Sequence, residues 1–215
     1  MLLDSVYPTE EIGRKFEKPV SVEMYGMNQI DTIAELEPGC LHEIGANAWM
    51  HHVESGAKVD PQKLSLYFDN SDPYLFRHVE RVIKRKVIQD IVLVHAKVDD
   101  AELENNICSK LLLARTYPNN MHISDVEFSN PYEPVPESDQ QYTYHEYRSL
   151  GLFSTLLERI RKYSQDNKIS KITLSAASSD QVSYFEAHGF KVEDTEFARQ
   201  AQEYGMSIPM GRKPI

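Results

Sequence analysis

Three β-rich runs stand almost end to end, Asp90–Val98, Ser109–Tyr117 and Met121–Ser129, and they limit the fold more than any other feature. The turn signal "YPNN" separates the second from the third, too short for a crossover connection, so the natural reading is an antiparallel meander. The chain has 215 residues, enough for one sizeable domain or two small ones. A single α/β domain fits the element order best.

Around the meander the periodicities alternate. "PVSVEMYG" (Pro19–Gly26) reads as a strand, and "NQIDTIAELEPG" as a helix capped by Asn28 and stopped by Pro-Gly. Asp72 and Pro73 begin a second helix, with Leu75, Val79, Val82, Ile83 and Val87 as its apolar stripe. The best-patterned helix follows Gly151, where Leu152, Phe153, Leu156, Leu157, Ile160 and Tyr163 recur at helical spacing. "KISKITLSAA" is a strand, and "SSDQVSYFEAHGF" a helix with Ser178 or Ser179 as N-cap and Gly189 at its C-terminal end. "FKVED" and "YGMSIPMGRKP" read as closing strands. Cys40–Asp72 holds a short strand "KLSLYFD", and Asn130–Tyr147 is a long loop or an added hairpin.

A net charge of −10 argues against nucleic acid as a main partner. No apolar run reaches a membrane span, the N-terminus lacks a signal-peptide pattern, and the 2 cysteines form no C-x-x-C, so a cytoplasmic, reduced protein is expected. His51, His52 and Glu54, near Cys40 and His42, match no common zinc spacing, so no metal is expected.

Two segments carry a resemblance. "EYRSLGLFSTLLERI" resembles the pyrophosphate loop of the GNAT superfamily of acyl-CoA-dependent N-acetyltransferases, and "VSYFEAHGF" resembles the helix ending of the same family. One helix and one strand separate them, as in the family, and the likeness runs in order from Pro19 to the C-terminus. It implies a mixed, mostly antiparallel sheet flanked by helices, with splayed central strands, filling residues 1–215 as one domain. In that frame residues 1–18 are an N-terminal extension, and 40–72 and 130–147 are insertions.

The resemblance implies an N-acyltransferase passing acetyl from acetyl-CoA to a primary amine, on a small molecule or a peptide, by direct attack and without a metal. A homodimer is compatible with it. Arg148 and the amides of Ser149, Leu150, Gly151, Leu152 and Phe153 would hold pyrophosphate at a helix N-terminus, which favours anions. Val126, Glu127 and Phe128 would form the edge along which pantetheine lies, with Ser178 and Phe185 further along the cofactor.

A general base would sit on Met121–Ser129. His122, Asp125 and Glu127 are candidates, with strict alternation placing His122 on one face and the two carboxylates on the other. The family's general-acid tyrosine falls at Phe185, and Tyr184 beside it points in another direction on the helix. Phe153 stands where the motif has Gly or Ala, and Ser178 where Asn is common. These departures carry the alternative reading, a non-catalytic GNAT-fold module that binds a CoA metabolite or a protein. Transfer of a larger acyl group is a third. The tyrosines and carboxylates of Asn130–Tyr147 suit a cationic acceptor.

Overall fold

The computed structural model describes residues 5–54, 56, 72–140 and 145–215. Among them an eight-stranded sheet runs in the order β1-β2-β3-β4-β6-β8-β7, with β5 paired to the far end of β4. The strands are β1 (Val20–Gly26), β2 (Ile88–Val98), β3 (Ile107–Thr116), β4 (Asn120–Pro134), β5 (Tyr147–Ser149), β6 (Lys171–Ala176), β7 (Lys191–Val192) and β8 (Ile208–Arg212). The meander is present as read. β2, β3 and β4 pair antiparallel, while β4 and β6 form the parallel pair of the sheet.

Seven helices cover the two faces of the described sheet: α1 (Thr9–Gly13), α2 (Ile30–Leu36), α3 (Cys40–Glu54), α4 (Leu75–Ile83), α5 (Phe153–Asp166), α6 (Ser179–Ala187) and α7 (Glu196–Tyr204). On one face the N-terminal segment and α5 bury Val6, Tyr7, Leu156 and Ile160 against Val94, Leu111 and Ile172. Arg159 of α5 ties that segment down, donating to the Tyr7 carbonyl at 3.0 Å and to Glu11 at 2.5 Å. On the other face α2, α3 and α4 bury Ile33, Trp49 and Val79 against Leu93 and Leu112. Removing this much apolar surface from water drives the assembly of both layers.

Several sequence expectations change. Cys40–Glu54 is a fifteen-residue helix whose buried Leu41, Ile44, Gly45, Ala48 and Trp49 recur at helical spacing. The expected strand "KLSLYFD" lies outside the described residues. Glu196–Tyr204 is a helix missing from the sequence reading, although Thr195 caps it by accepting from the Ala198 amide at 3.0 Å and Gly205 ends it in the left-handed region. Asn28 is no cap, because it lies within a 3₁₀ turn and α2 follows Gln29 without a side-chain cap. Val82 is half exposed, and Val87 lies past the end of α4. The segment after Ser129 is a hairpin, with Ser129 opposite Ser149 and Pro134 opposite Tyr147.

The register of β4 departs from regular alternation at one place. Leu112 lies opposite Asp125 and Leu113 opposite Ile123, so Ser124 is an extra residue, a β-bulge. Because side chains alternate with period two, this insertion changes which residues share a face. His122, Asp125 and Glu127 lie opposite Ala114, Leu112 and Lys110 and therefore all point to the α2–α4 side. The expected separation of His122 from the two carboxylates is overturned.

Candidate active site

The bulge coincides with a parting of strands. Asn120–Ile123 pair with Lys171–Leu174, and beyond Ile123 β4 has no further partner in β6. Between the diverging strands lies a cleft of about 880 Å³, bordered by β4 from Ile123 to Ser129, by Tyr147 and Ser149 of β5, by Phe153, and by α6. Its mouth is the start of α5. The N-cap Leu152 makes no side-chain capping bond, and the first turn carries no acid. The first N–H groups of a helix have no intrahelical partner, so these amides are available to an anion. Gly151 supports the approach with φ of 70°, in the left-handed region. Ser129 Oγ, fully buried beside the same mouth, has no hydrogen-bond partner among the described residues.

The sequence candidates divide by this geometry. Val126, Glu127, Phe128, Ser149, Phe153, Tyr184 and Phe185 all border the cleft. The open edge is Ser124–Glu127, since the Phe128 carbonyl accepts from the Leu150 amide at 2.9 Å. Leu150 and Leu152 are buried in the core, and Ser178 is the N-cap of α6 without a side-chain bond. Arg148 lies outside the lining, its guanidinium 2.9 Å from Glu133. Phe153 is buried with its ring 5.8 Å from both Tyr184 and Phe185 and 5.0 Å from His188. The aromatic residue where the motif has a small one thus locks α5 to α6. Tyr184 and Phe185 face the cleft together, rather than in the two directions expected.

On the α2–α4 side of the parting strands lies a charged cluster that the sequence reading missed. Lys110 Nζ is 2.8 Å from Asp125 and 3.0 Å from Glu37, and Glu37 is 3.3 Å from His95 Nε2. Burial works against the Lys110 ammonium, but the two carboxylates outweigh it and hold its pKa above the ordinary range. Asp125 is thereby engaged in a structural pair. No periodicity marks such a cluster, because its members are far apart in the chain.

His122 is buried. Its Nδ1 shares a 3.0 Å hydrogen bond with the Thr173 hydroxyl, and its Nε2 has no partner among the described residues. Burial pushes its pKa below the ordinary 6.5, with Glu43 opposing. In the unfolded chain His122 takes up a proton at its ordinary value, while the folded chain resists, so stability falls as pH drops through 6.5. The limiting slope is about 1.4 kcal/mol per pH unit. Urea midpoints from pH 8 to pH 5 should therefore fall less steeply in His122→Gln than in the wild type; parallel curves would contradict a neutral, buried imidazole.

No family model matches the chain, and no curated protein matches it. Solved structures do. They include a GNAT-family acetyltransferase of Staphylococcus aureus, 13% identical over 92% of this chain and 100% of that one, with a TM-score of 0.40. A second is the PaiA N-acetyltransferase of Thermoplasma acidophilum in complex with coenzyme A, 16% identical over 91% and 99%, with a TM-score of 0.37. A third is an acetyltransferase of Streptococcus agalactiae, 14% identical over 92% and 99%, with a TM-score of 0.37. The architecture is GNAT-like. The sheet order and the splayed parallel pair of β4 and β6 carry this likeness of fold.

Proposed function

We propose that the protein is an acyl-CoA-dependent N-acyltransferase, passing acetyl to a primary amine, with residues 1–215 acting as one domain. The observation that carries this reading is the cleft itself. A bulged strand leaves its parallel neighbour, and the opened edge leads to a helix N-terminus without a side-chain cap. A long ligand with an anionic middle fits that combination, and the unpartnered Ser129 hydroxyl beside the mouth supplies a further polar group for it.

Bound acetyl-CoA would supply an activated acyl thioester. In this reading the amides at the start of α5, at Leu152 and Phe153, would hold the pyrophosphate, helped by the helix dipole. The Leu150 and Gly151 amides are engaged by the Phe128 carbonyl and the Ser149 hydroxyl, and Arg148 by Glu133. Ser124–Glu127 would offer the backbone groups of the open edge to the pantetheine and Phe185 would line its other side, while Ser178, the N-cap of α6, lies outside the lining. The chain's catalytic task is then orientation and removal of a proton from the amine. Glu127, exposed on β4, and His122, buried with no partner at Nε2 among the described residues, would be the candidate bases, both on the α2–α4 side. Tyr184, which lines the cleft from α6 beside Ser183, would protonate the departing thiolate.

Calorimetry with acetyl-CoA tests the reading, together with thiol release in the presence of a panel of amines. Saturable binding and amine-dependent release are expected. Absence of binding at high micromolar concentration would end the proposal, and binding without release would leave the non-catalytic module in its place.

A further inference from the structure

A second, smaller cavity lies on the α3 side of the sheet, where β4 and β6 are still paired. It encloses about 80 Å³, and Leu174 and Ser175 border both it and the cleft. Its floor is His122 with Thr173, its long wall is α3, and its far side is the Lys171–Glu193 ion pair at 2.5 Å. The lining residues Ile44, Asn47, Ala48, His51 and Glu54 follow one face of α3.

Its two ends differ chemically. At the inner end His122 Nε2 is buried and has no partner among the described residues, a polar atom that costs free energy unless something bonds to it. At the outer end Glu54 makes no ion pair among the described residues and sits at the C-terminal end of α3, where the helix dipole adds negative potential. Lys171 is neutralised by Glu193, and nearby Arg199 is held by Asp194 at 2.9 Å and Glu196 at 3.2 Å. Desolvation raises the Glu54 pKa and Glu193 adds to it, while His51, Arg199 and Lys171 oppose the shift. His51 packs edge-on against Tyr117, lining the same end.

We infer that this cavity receives the acceptor, a linear primary amine bearing a second cationic group, with its reacting nitrogen bonded to His122 Nε2 and its second cation at Glu54. The assignment rests on the transferase reading for what happens to the amine, while the binding site stands on the cavity alone. A monoamine satisfies the inner pole only. A diamine satisfies both.

The test is calorimetry with putrescine and with n-butylamine, in the absence and in the presence of coenzyme A, on the wild type, Glu54→Gln and Ala48→Phe. Putrescine should bind the wild type saturably and n-butylamine about tenfold more weakly, the worth of one charge-assisted bond. Glu54→Gln should bring putrescine down to the n-butylamine level, and Ala48→Phe, which fills the cavity, should abolish both. Should Ala48→Phe fail to fold by circular dichroism, Glu54→Gln decides. No putrescine binding under either condition, or a preference that survives Glu54→Gln, overturns the inference. Coenzyme A titrated into the same samples reports on the cleft separately. If it fails to bind while putrescine behaves as described, the transferase reading falls and the cavity assignment stands.

Discussion

Replacing Gly151 by aspartate is expected to lower affinity for coenzyme A about 100-fold or more while leaving the protein folded. The new carboxylate would stand at the start of α5, whose amides the proposed pyrophosphate needs. Two unit charges about 5 Å apart repel by roughly 3 kcal/mol at an effective dielectric constant near 20, which is about a 100-fold loss of binding. The folding cost is smaller. Gly151 has φ of 70°, and a Cβ added there meets nothing within 4 Å, so the penalty is the left-handed backbone alone. That amounts to ~1–2 kcal/mol. Gly151→Ala separates the two effects, because it carries the strain without the charge. Both variants should lose similar thermal stability, and the aspartate alone should lose the ligand. Equal affinities for coenzyme A in the two variants would remove α5 from the binding site.

The second large effect is on stability and lies in the opposite layer. Gly45 sits where α3 crosses the start of α4, and a Cβ there would fall 2.6 Å from the Phe76 amide nitrogen and 3.0 Å from its Cα. Those are backbone atoms, with no side chain to swing aside, so the helices would have to separate. Alanine in a helix interior is ordinarily better than glycine by ~1 kcal/mol. Here that gain is set against overpacking, and for Gly45→Val we expect a net loss of about 3 kcal/mol, read from urea unfolding. The damage should be local in function. α3 walls the small cavity, so putrescine binding should weaken, whereas the cleft is built from β4, α5 and α6 and should keep its affinity for coenzyme A. A neutral or stabilising Gly45→Val would show that α3 and α4 part freely.

Much of the fold was legible because its signals are periodic. The meander, α5 and the closing motif around Gly189 follow from alternation, helical spacing and a glycine at a helix end. The helix Cys40–Glu54 was equally periodic, but the histidines and single Trp within it drew attention to chemistry instead of spacing. The helix Glu196–Tyr204 carries its own start and stop signals, Thr195 and Gly205, between two short strands. The site was harder to read. Alternation along β4 cannot reveal an insertion within it, so His122 went to the wrong face. Phe153 could be recognised as out of place, yet its partners Tyr184, Phe185 and His188 arrive from α6. Arg148 was read by its nearness to Gly151, while its ion pair is with Glu133 across a hairpin. The Lys110 cluster joins four elements and leaves no local trace.

Ser124 gives the molecule its handedness of use. Without the bulge, strict alternation from Ile123 would present Asp125 and Glu127 to the greasy layer beneath α5 and turn Val126 and Phe128 toward the polar side. Bulging out the single Ser124 reverses that parity, so hydrophobic burial is satisfied on one side of the sheet while His122, Asp125 and Glu127 are delivered to the other. The same surplus starts the divergence from β6. Where a donor can lie and which side an acceptor must come from are therefore one decision, taken by one residue that contributes no charge of its own.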